Sequence, residues 1–375
     1  MPHTPTTRPF KQALAALPQA PATLIQTRAE PPRQAYRCTY LQQPPPGAGG
    51  WLLSPLLDDP ARREDRFDDY EQKSADLLFA DVTVQRAVSP DAARREAYRH
   101  NTLFSMVYNP LGWHMFIRCG EPELDTLIAE GRSAGSLEMY LSRGPIGSAY
   151  SQWIINLPAG DCQIIEWNSP HRHFRPLKPY LKTETIPLDQ TLGVHVFLPW
   201  EALYDCLPWE TGGITEGWPF GLIRWTPAGG ITWGGKVHEI GRWGRILWQP
   251  PDAAQDRAIR INLIRRAWAI YQRTRDALAT HWSDPMVGDP HFFATRLSPW
   301  CDRLTAAGQD ISRLDARDDA LVNDLWPHLP HWMELTYEAQ ALRSADLTDA
   351  LMRSPRPIAG TEEPELGHGG FIAES

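Results

Sequence analysis

From residue 102 onward, apolar and polar residues alternate with a period of two. Trp113, Met115, Ile117 and Cys119 alternate with His114, Phe116 and Arg118. Leu137, Met139 and Leu141 alternate with Glu138 and Tyr140, and Val194, Val196 and Leu198 with His195 and Phe197. Successive side chains of a strand point to opposite faces, so each run predicts a strand with one face in a core. Shorter runs at 150–156, 163–167, 182–186, 220–225, 231–233 and 245–248 predict further strands, and most are separated by Gly, Pro, Asn or Asp. The run 80–84 is a candidate first strand. About nine short strands without helices between them predict two antiparallel sheets packed face to face, a mainly β, jelly-roll-like sandwich. The lack of strand–helix alternation argues against a parallel nucleotide-binding sheet.

The pattern changes after Pro250-Pro251. Ile259, Leu263, Ala267 and Ile270 recur at helical spacing, with Arg257, Arg260, Arg265 and Arg266 around them. This predicts an amphipathic helix over 253–280, with Asp252 as its cap and its arginine face in solvent. Its apolar face would pack on the sandwich or serve a protein partner or self-association. Shorter helices are predicted over 300–307, 316–326 and 331–352. Four regions follow: a Pro-rich arm over 1–50, a sandwich over 51–250, a helical extension over 251–352, and a Pro-, Gly- and Glu-rich tail over 353–375 that reads as disordered.

Composition narrows the function classes. The net charge is -8 across 375 residues. That disfavours a nucleic-acid binder, which needs clustered Lys and Arg for phosphate contacts. No run has the length of a membrane-spanning helix. Residues 1–26 do not resemble a signal peptide, so the expected location is the cytoplasm. Five dispersed cysteines read as reduced thiols, not a disulfide frame. No nucleophile elbow, phosphate-binding loop or H-E-x-x-H motif occurs.

Tryptophan is the exceptional residue. Seven of the sixteen lie within 199–248. Trp200, Trp218 and Trp248 are expected in the core. Trp233, with Gly229, Gly230, Gly234 and Gly235 around it, is expected on an accessible turn. Arg224 shares a strand parity with Phe220 and Leu222, so it points inward and needs a partner, for which Glu138 and Glu166 are the candidates. Glu138 is either solvated, paired or part of a site. His238 follows a glycine-rich turn and has either a ligand or a structural role. His171-x-His173 puts two imidazoles on one side of an extended chain, but no third metal ligand is evident. His281, His291, His328 and His331 are scattered through the helical part.

The segment 101–248 resembles the family 9 carbohydrate-binding module and its wider group of sugar-binding β-sandwich domains. The matching pieces, in order, are 112–117, 136–141, 150–156, the strand ending in Pro199-Trp200, 220–224, and Trp233 through Trp248. The resemblance implies a sandwich that grips a mono- or oligosaccharide. It assigns Trp233 the stacking role and Glu138 hydrogen bonds to sugar hydroxyls. The apolar C–H face of a pyranose suits an indole, and a carboxylate accepts charge-assisted bonds from vicinal hydroxyls. The chain departs from the family near Arg132, where a second stacking ring has no counterpart. Polar contacts expected near Ile154 and Ile223 are also missing. Trp153, Trp167 and Trp225 are the candidates to replace the ring. No cofactor is expected; calcium enters by family resemblance only, and no dense Asp/Asn loop is seen. The alternative function is a glycan-degrading hydrolase or lyase, which needs two carboxylates across a cleft; Glu138, Glu166, Glu201, Glu216 and Glu239 are available. A redox domain ranks below both, because no His/Met haem-ligand pair is evident.

Overall fold

A computed structural model of the chain describes residues 35–52, 65–66, 69–71, 99–142, 150–167, 181–204, 207–226, 229–234, 240–315 and 318–353. The chain divides into two compact units, residues 1–267 with 311–329, and residues 268–310 with 330–375.

The first unit is the predicted β-sandwich. Among the described residues, its strands in chain order are β1 (Ala35–Tyr40), β2 (Asp65–Arg66), β3 (Asp69–Glu71), β4 (Thr102–Asn109), β5 (Gly112–Gly120), β6 (Ser136–Leu141), β7 (Tyr150–Asn156), β8 (Cys162–Trp167), β9 (Lys182–Leu188), β10 (Thr191–Pro199), β11 (Trp218–Thr226), β12 (Gly229–Trp233) and β13 (Gly244–Trp248). Hydrogen-bonded neighbours run β8-β7-β6-β11-β13-β1-β4-β5-β10-β9, with β12 and β3 beside β11 and β2 beside β4. We call the half from β8 to β13 the first sheet and the half from β4 to β9 the second.

β1 joins the two halves. Residues 35–38 pair parallel with β13, and residues 39–40 pair parallel with β4. This corrects two expectations: the sheets are not wholly antiparallel, and the Pro-rich arm contains an integral strand. The candidate strand 80–84 lies outside the described residues. On the far side of the sandwich, the Thr183 and Thr185 hydroxyls of β9 donate to the carbonyls of Gly160 and Pro158 in the β7–β8 turn. The two halves therefore meet along both sides.

The core forms where the inward parities face each other. Trp113 lies 5.4 Å from Phe220 and 5.5 Å from Trp248 between ring centroids, and Trp218 lies 5.7 Å from Trp248. Trp200, Trp218 and Trp248 are buried as expected. Tilted and edge-to-face ring pairs at these spacings add to the area each ring removes from water. Helix α1 (Gly47–Leu52) packs on the outside of the second sheet, where Trp51 meets Phe116 at 5.1 Å. Helix α2 (Leu124–Ala129) follows β5.

Helix α3 (Ala253–Ser283) begins with a reciprocal cap. The Asp252 carboxylate accepts from the Gln255 amide at 2.8 Å, and the Gln255 side chain accepts from the Asp252 amide at 2.9 Å. The boundary between the two units falls inside this helix. In its first half Ile259, Leu263, Ile264 and Ala267 are buried within the chain, so that face is not free for a partner. The arginine face is not simply solvated either. Arg257 binds Asp319, Arg260 bridges Asp256 and Glu210 beneath Trp326, Arg265 donates to the Leu314 carbonyl, and Arg266 pairs with buried Glu201. Periodicity shows which face is polar but not that ordered partners await it.

The second unit is helical: the end of α3, α4 (Ser298–Ala307) and α6 (Leu335–Arg353), while α5 (Asp319–Leu325) belongs to the first unit. Trp268 packs on Tyr271 at 5.0 Å and on Trp332 at 5.3 Å, and the Tyr271 hydroxyl donates to the Cys301 carbonyl at 2.7 Å.

Candidate functional site

Strand register sorts the expected site residues onto two faces. Leu222 of β11 faces Trp233 of β12 and Met139 of β6, and Met139 faces Trp153 of β7. These residues share the core face. Trp233 is sealed there, with ring centroids 5.2 Å from Phe104 and 6.0 Å from Phe220. The expectation of an accessible indole is thus overturned: the flanking glycines bend the chain, but the parity of β12 turns Trp233 inward. Trp153 is buried on the same face and does not replace the missing ring.

Arg224 is also inward and fully buried. Its partner among the described side chains is not Glu138 but Glu121, at 3.1 Å from Nη2. Glu138 is excluded by register: it stands opposite Ile223, the residue before Arg224, and so occupies the other face. Glu121 Oε2 also lies 3.1 Å from His100 Nδ1. Burial works to raise the Glu121 carboxyl, but the hydrogen bond and electrostatic attraction of His100, together with the Arg224 guanidinium, hold it below the usual carboxylate range. Arg224 Nη1 also donates to the Trp225 carbonyl at 3.0 Å. This network joins β11 of the first sheet to the end of β5 in the second.

The outward face of the first sheet gathers the remaining candidates. Glu138 and Tyr140 of β6 stand beside Ile154 and Gln152 of β7 and beside Ile223 and Gly221 of β11. Glu138 Oε2 accepts from the Tyr140 hydroxyl and, at 2.9 Å, from Gln152 Nε2; Gln152 Nε2 also donates to the Tyr140 oxygen at 3.0 Å. Glu138 is partly buried, and its Oε1 has no partner among the described residues. An oriented carboxylate with one open oxygen is an acceptor for a ligand hydroxyl.

Beside this network lies an aromatic cluster. Tyr140, Tyr150, Ile223 and Trp243 form a buried patch, with partly buried Trp225 and Ile240 packed against it. Trp243 lies 5.5 Å from Tyr140 and 5.1 Å from Tyr150. Burial pushes the Tyr150 hydroxyl up to about 12. Trp225 has room because its cross-strand neighbour is Gly230: a Cβ there would meet the Trp225 ring at 3.0 Å and Ile223 at 2.5 Å. At Gly135, just before β6, φ is +87° and a Cβ would meet the Trp225 carbonyl at 2.0 Å, so this close approach requires glycine.

Of the expected site residues, Glu138 and Trp225 therefore share the outward face, and Trp233, Trp153 and Arg224 share the core. His238, the His171/His173 pair and Glu239 lie outside the described residues, as do the side chains of Glu166 and Trp167. Tyr140, Gln152 and Trp243 were missed as site residues. The period-two parity of Glu138 marks Tyr140, but Gln152 and Trp243 reach the site only through pairing and a turn. Among the described side chains of β6, β7 and β11 on this face, Glu138 is the one carboxylate. Glu201, another candidate for an acid pair, is bound to Arg266. Among the described residues, no group of three or more His, Cys, Asp or Glu side chains is arranged to hold a metal ion.

Two solved structures of family 9 carbohydrate-binding modules match the chain. One such module, from Caldicellulosiruptor kristjanssonii in complex with glucose, matches with a TM-score of 0.35 and 10% identity over 59% of this chain and 98% of that one. A module from the same organism in complex with cellotriose matches with a TM-score of 0.35 and 9% identity over 59% of this chain and 96% of that one. No family model matches the sequence, and no curated protein matches it. The site residues accordingly rest on this chain's own geometry.

Proposed function

We propose that the chain binds a mono- or oligosaccharide on the outward face of its first sheet. The observation that carries this reading is the Glu138–Tyr140–Gln152 network beside Trp225. Its two donors fix one carboxylate oxygen and leave the other for vicinal hydroxyls, while the indole offers an apolar surface for a ring's C–H face. The role first given to Trp233 passes to Trp225. The glucose and cellotriose of the similar modules suggest where a ligand screen should start.

The test is a titration of the full chain with a panel of mono- and oligosaccharides, glucose and cellotriose included, by calorimetry and intrinsic Trp fluorescence. Wild type should bind at least one. Trp225→Ala should weaken that binding by about fivefold or more, the equivalent of roughly 1 kcal/mol for a lost ring contact. Glu138→Gln should weaken it by a similar factor, since it removes the charge from the accepting oxygen. Binding by no sugar in the panel, or binding unaffected by both substitutions, would defeat the proposal.

A further inference from the structure

The outward face of the second sheet carries a pair of histidines that the proposed sugar site does not use. His114 of β5 and His195 of β10 meet with Nδ1 and Nε2 3.1 Å apart. Their centroids are 5.4 Å apart and their planes 5° apart. Those three values place the rings edge to edge in one plane, joined by an in-line N–H···N hydrogen bond. Phe197 packs on His114 at 4.7 Å. His195 stands in register between Phe116 of β5 and Glu184 of β9. Helix α1 touches both of those flanking residues: Trp51 contacts Phe116, and the Gly47 backbone lies against the Glu184 carboxylate.

Proton accounting makes this pair unusual. Two neutral imidazoles share four ring nitrogens and two protons. One proton occupies the bridge. His114 Nε2 is buried with no hydrogen-bond partner, so the second belongs on His195 Nδ1, the position not sealed from solvent. The bridge holds only one proton. A third proton therefore has to go to His114 Nε2, creating a buried N–H with no protein acceptor and a positive charge in a desolvated position. Burial first, and then the neighbouring His195, hold the His114 imidazole down to about 3; His195 is also held down by burial, with Glu184 pulling the other way. Among the described residues, the charged groups around the pair are Glu184 and Lys182 of β9 and Arg118 of β5; α1 contributes none.

We propose that the His114–His195 pair is an acid-sensitive latch that holds α1 and the edge strand β9 closed on the second sheet and releases them on taking up a third proton. Near neutrality the coplanar bridge stays intact. As pH falls below the ordinary imidazole range, the open form gains a proton that the closed form excludes, so opening becomes about tenfold more favourable per pH unit for each proton.

Hydrogen exchange on the full chain between pH 7.5 and 5, corrected for the intrinsic dependence of exchange on pH, tests this directly. Amides of residues 47–52 and 182–188 should lose about tenfold protection per pH unit below the imidazole range, while those of β6 and β7 hold theirs. His195→Gln should weaken the pH dependence of this local opening, leaving only the part that the burial of His114 itself supplies. His114→Phe provides a second test, replacing the buried ring with an apolar one of similar size. Protection that does not change with pH in the wild type would overturn the latch. So would an equal fall in β6 and β7, or an unchanged pH dependence in either variant.

Discussion

Trp225 and Trp233 are eight residues apart on adjacent strands, yet they belong to opposite surfaces. Trp233→Ala would empty a site walled by Phe104 and Phe220 and should cost about 3–5 kcal/mol in denaturant unfolding. The same truncation at partly buried Trp225 should cost distinctly less and show mainly in ligand titrations. Comparing the two unfolding midpoints checks this assignment, and equal losses would contradict it. Glu121 offers a second residue-scale test. Glu121→Gln removes one charge from a buried pair and leaves the Arg224 guanidinium uncompensated, which should cost about 3–5 kcal/mol. Because the folded-state carboxyl is held below its ordinary value, its contribution is full above about pH 4.5 and is lost as pH falls through the lower folded value. The variant should therefore lose less stability than wild type on acidification through that range, as read by thermal unfolding at stepped pH.

Among the elements, β1 has consequences far beyond its six residues. It pairs with β13 through one half and with β4 through the other, so both sheets end on it. A chain beginning at residue 42 should lose the single cooperative unfolding transition of the sandwich, measured by near-ultraviolet circular dichroism; an unchanged transition would show that β1 is dispensable. β1 is hidden in sequence because it follows a Pro-rich stretch and its burial does not alternate cleanly. β4 is hidden for a different reason. It is buried on both faces over nearly its whole length, so the polar beats that mark a half-exposed strand are missing. The strands that do read clearly, β5, β6 and β10, each have one face toward the other sheet and one face away.

For the whole molecule, acid is the condition that brings these features together. Two histidines held down by burial contribute stability that is full above the ordinary imidazole value and falls as pH drops toward the lower folded values. Glu121 adds its own loss below the carboxylate range. The sandwich should thus show two regions of decline, one beginning near pH 6.5 and reduced by His195→Gln, the other below about pH 4.5 and reduced by Glu121→Gln. A single acid transition unaffected by either change would refute this assignment. What the chain's own order of residues determined was local: strand parity, the cap of α3, the inward turn of Arg224, and the placing of an acid on the face away from Leu137 and Met139. These follow from backbone geometry, which repeats every two or 3.6 residues and needs no distant partner. What only the tertiary structure decided was pairing across distance: Arg224 with Glu121, Glu138 with Gln152, and which tryptophan is sealed and which is left at the surface. Register between strands and the packing of one sheet on another make those choices, and neither is written in any short window of sequence.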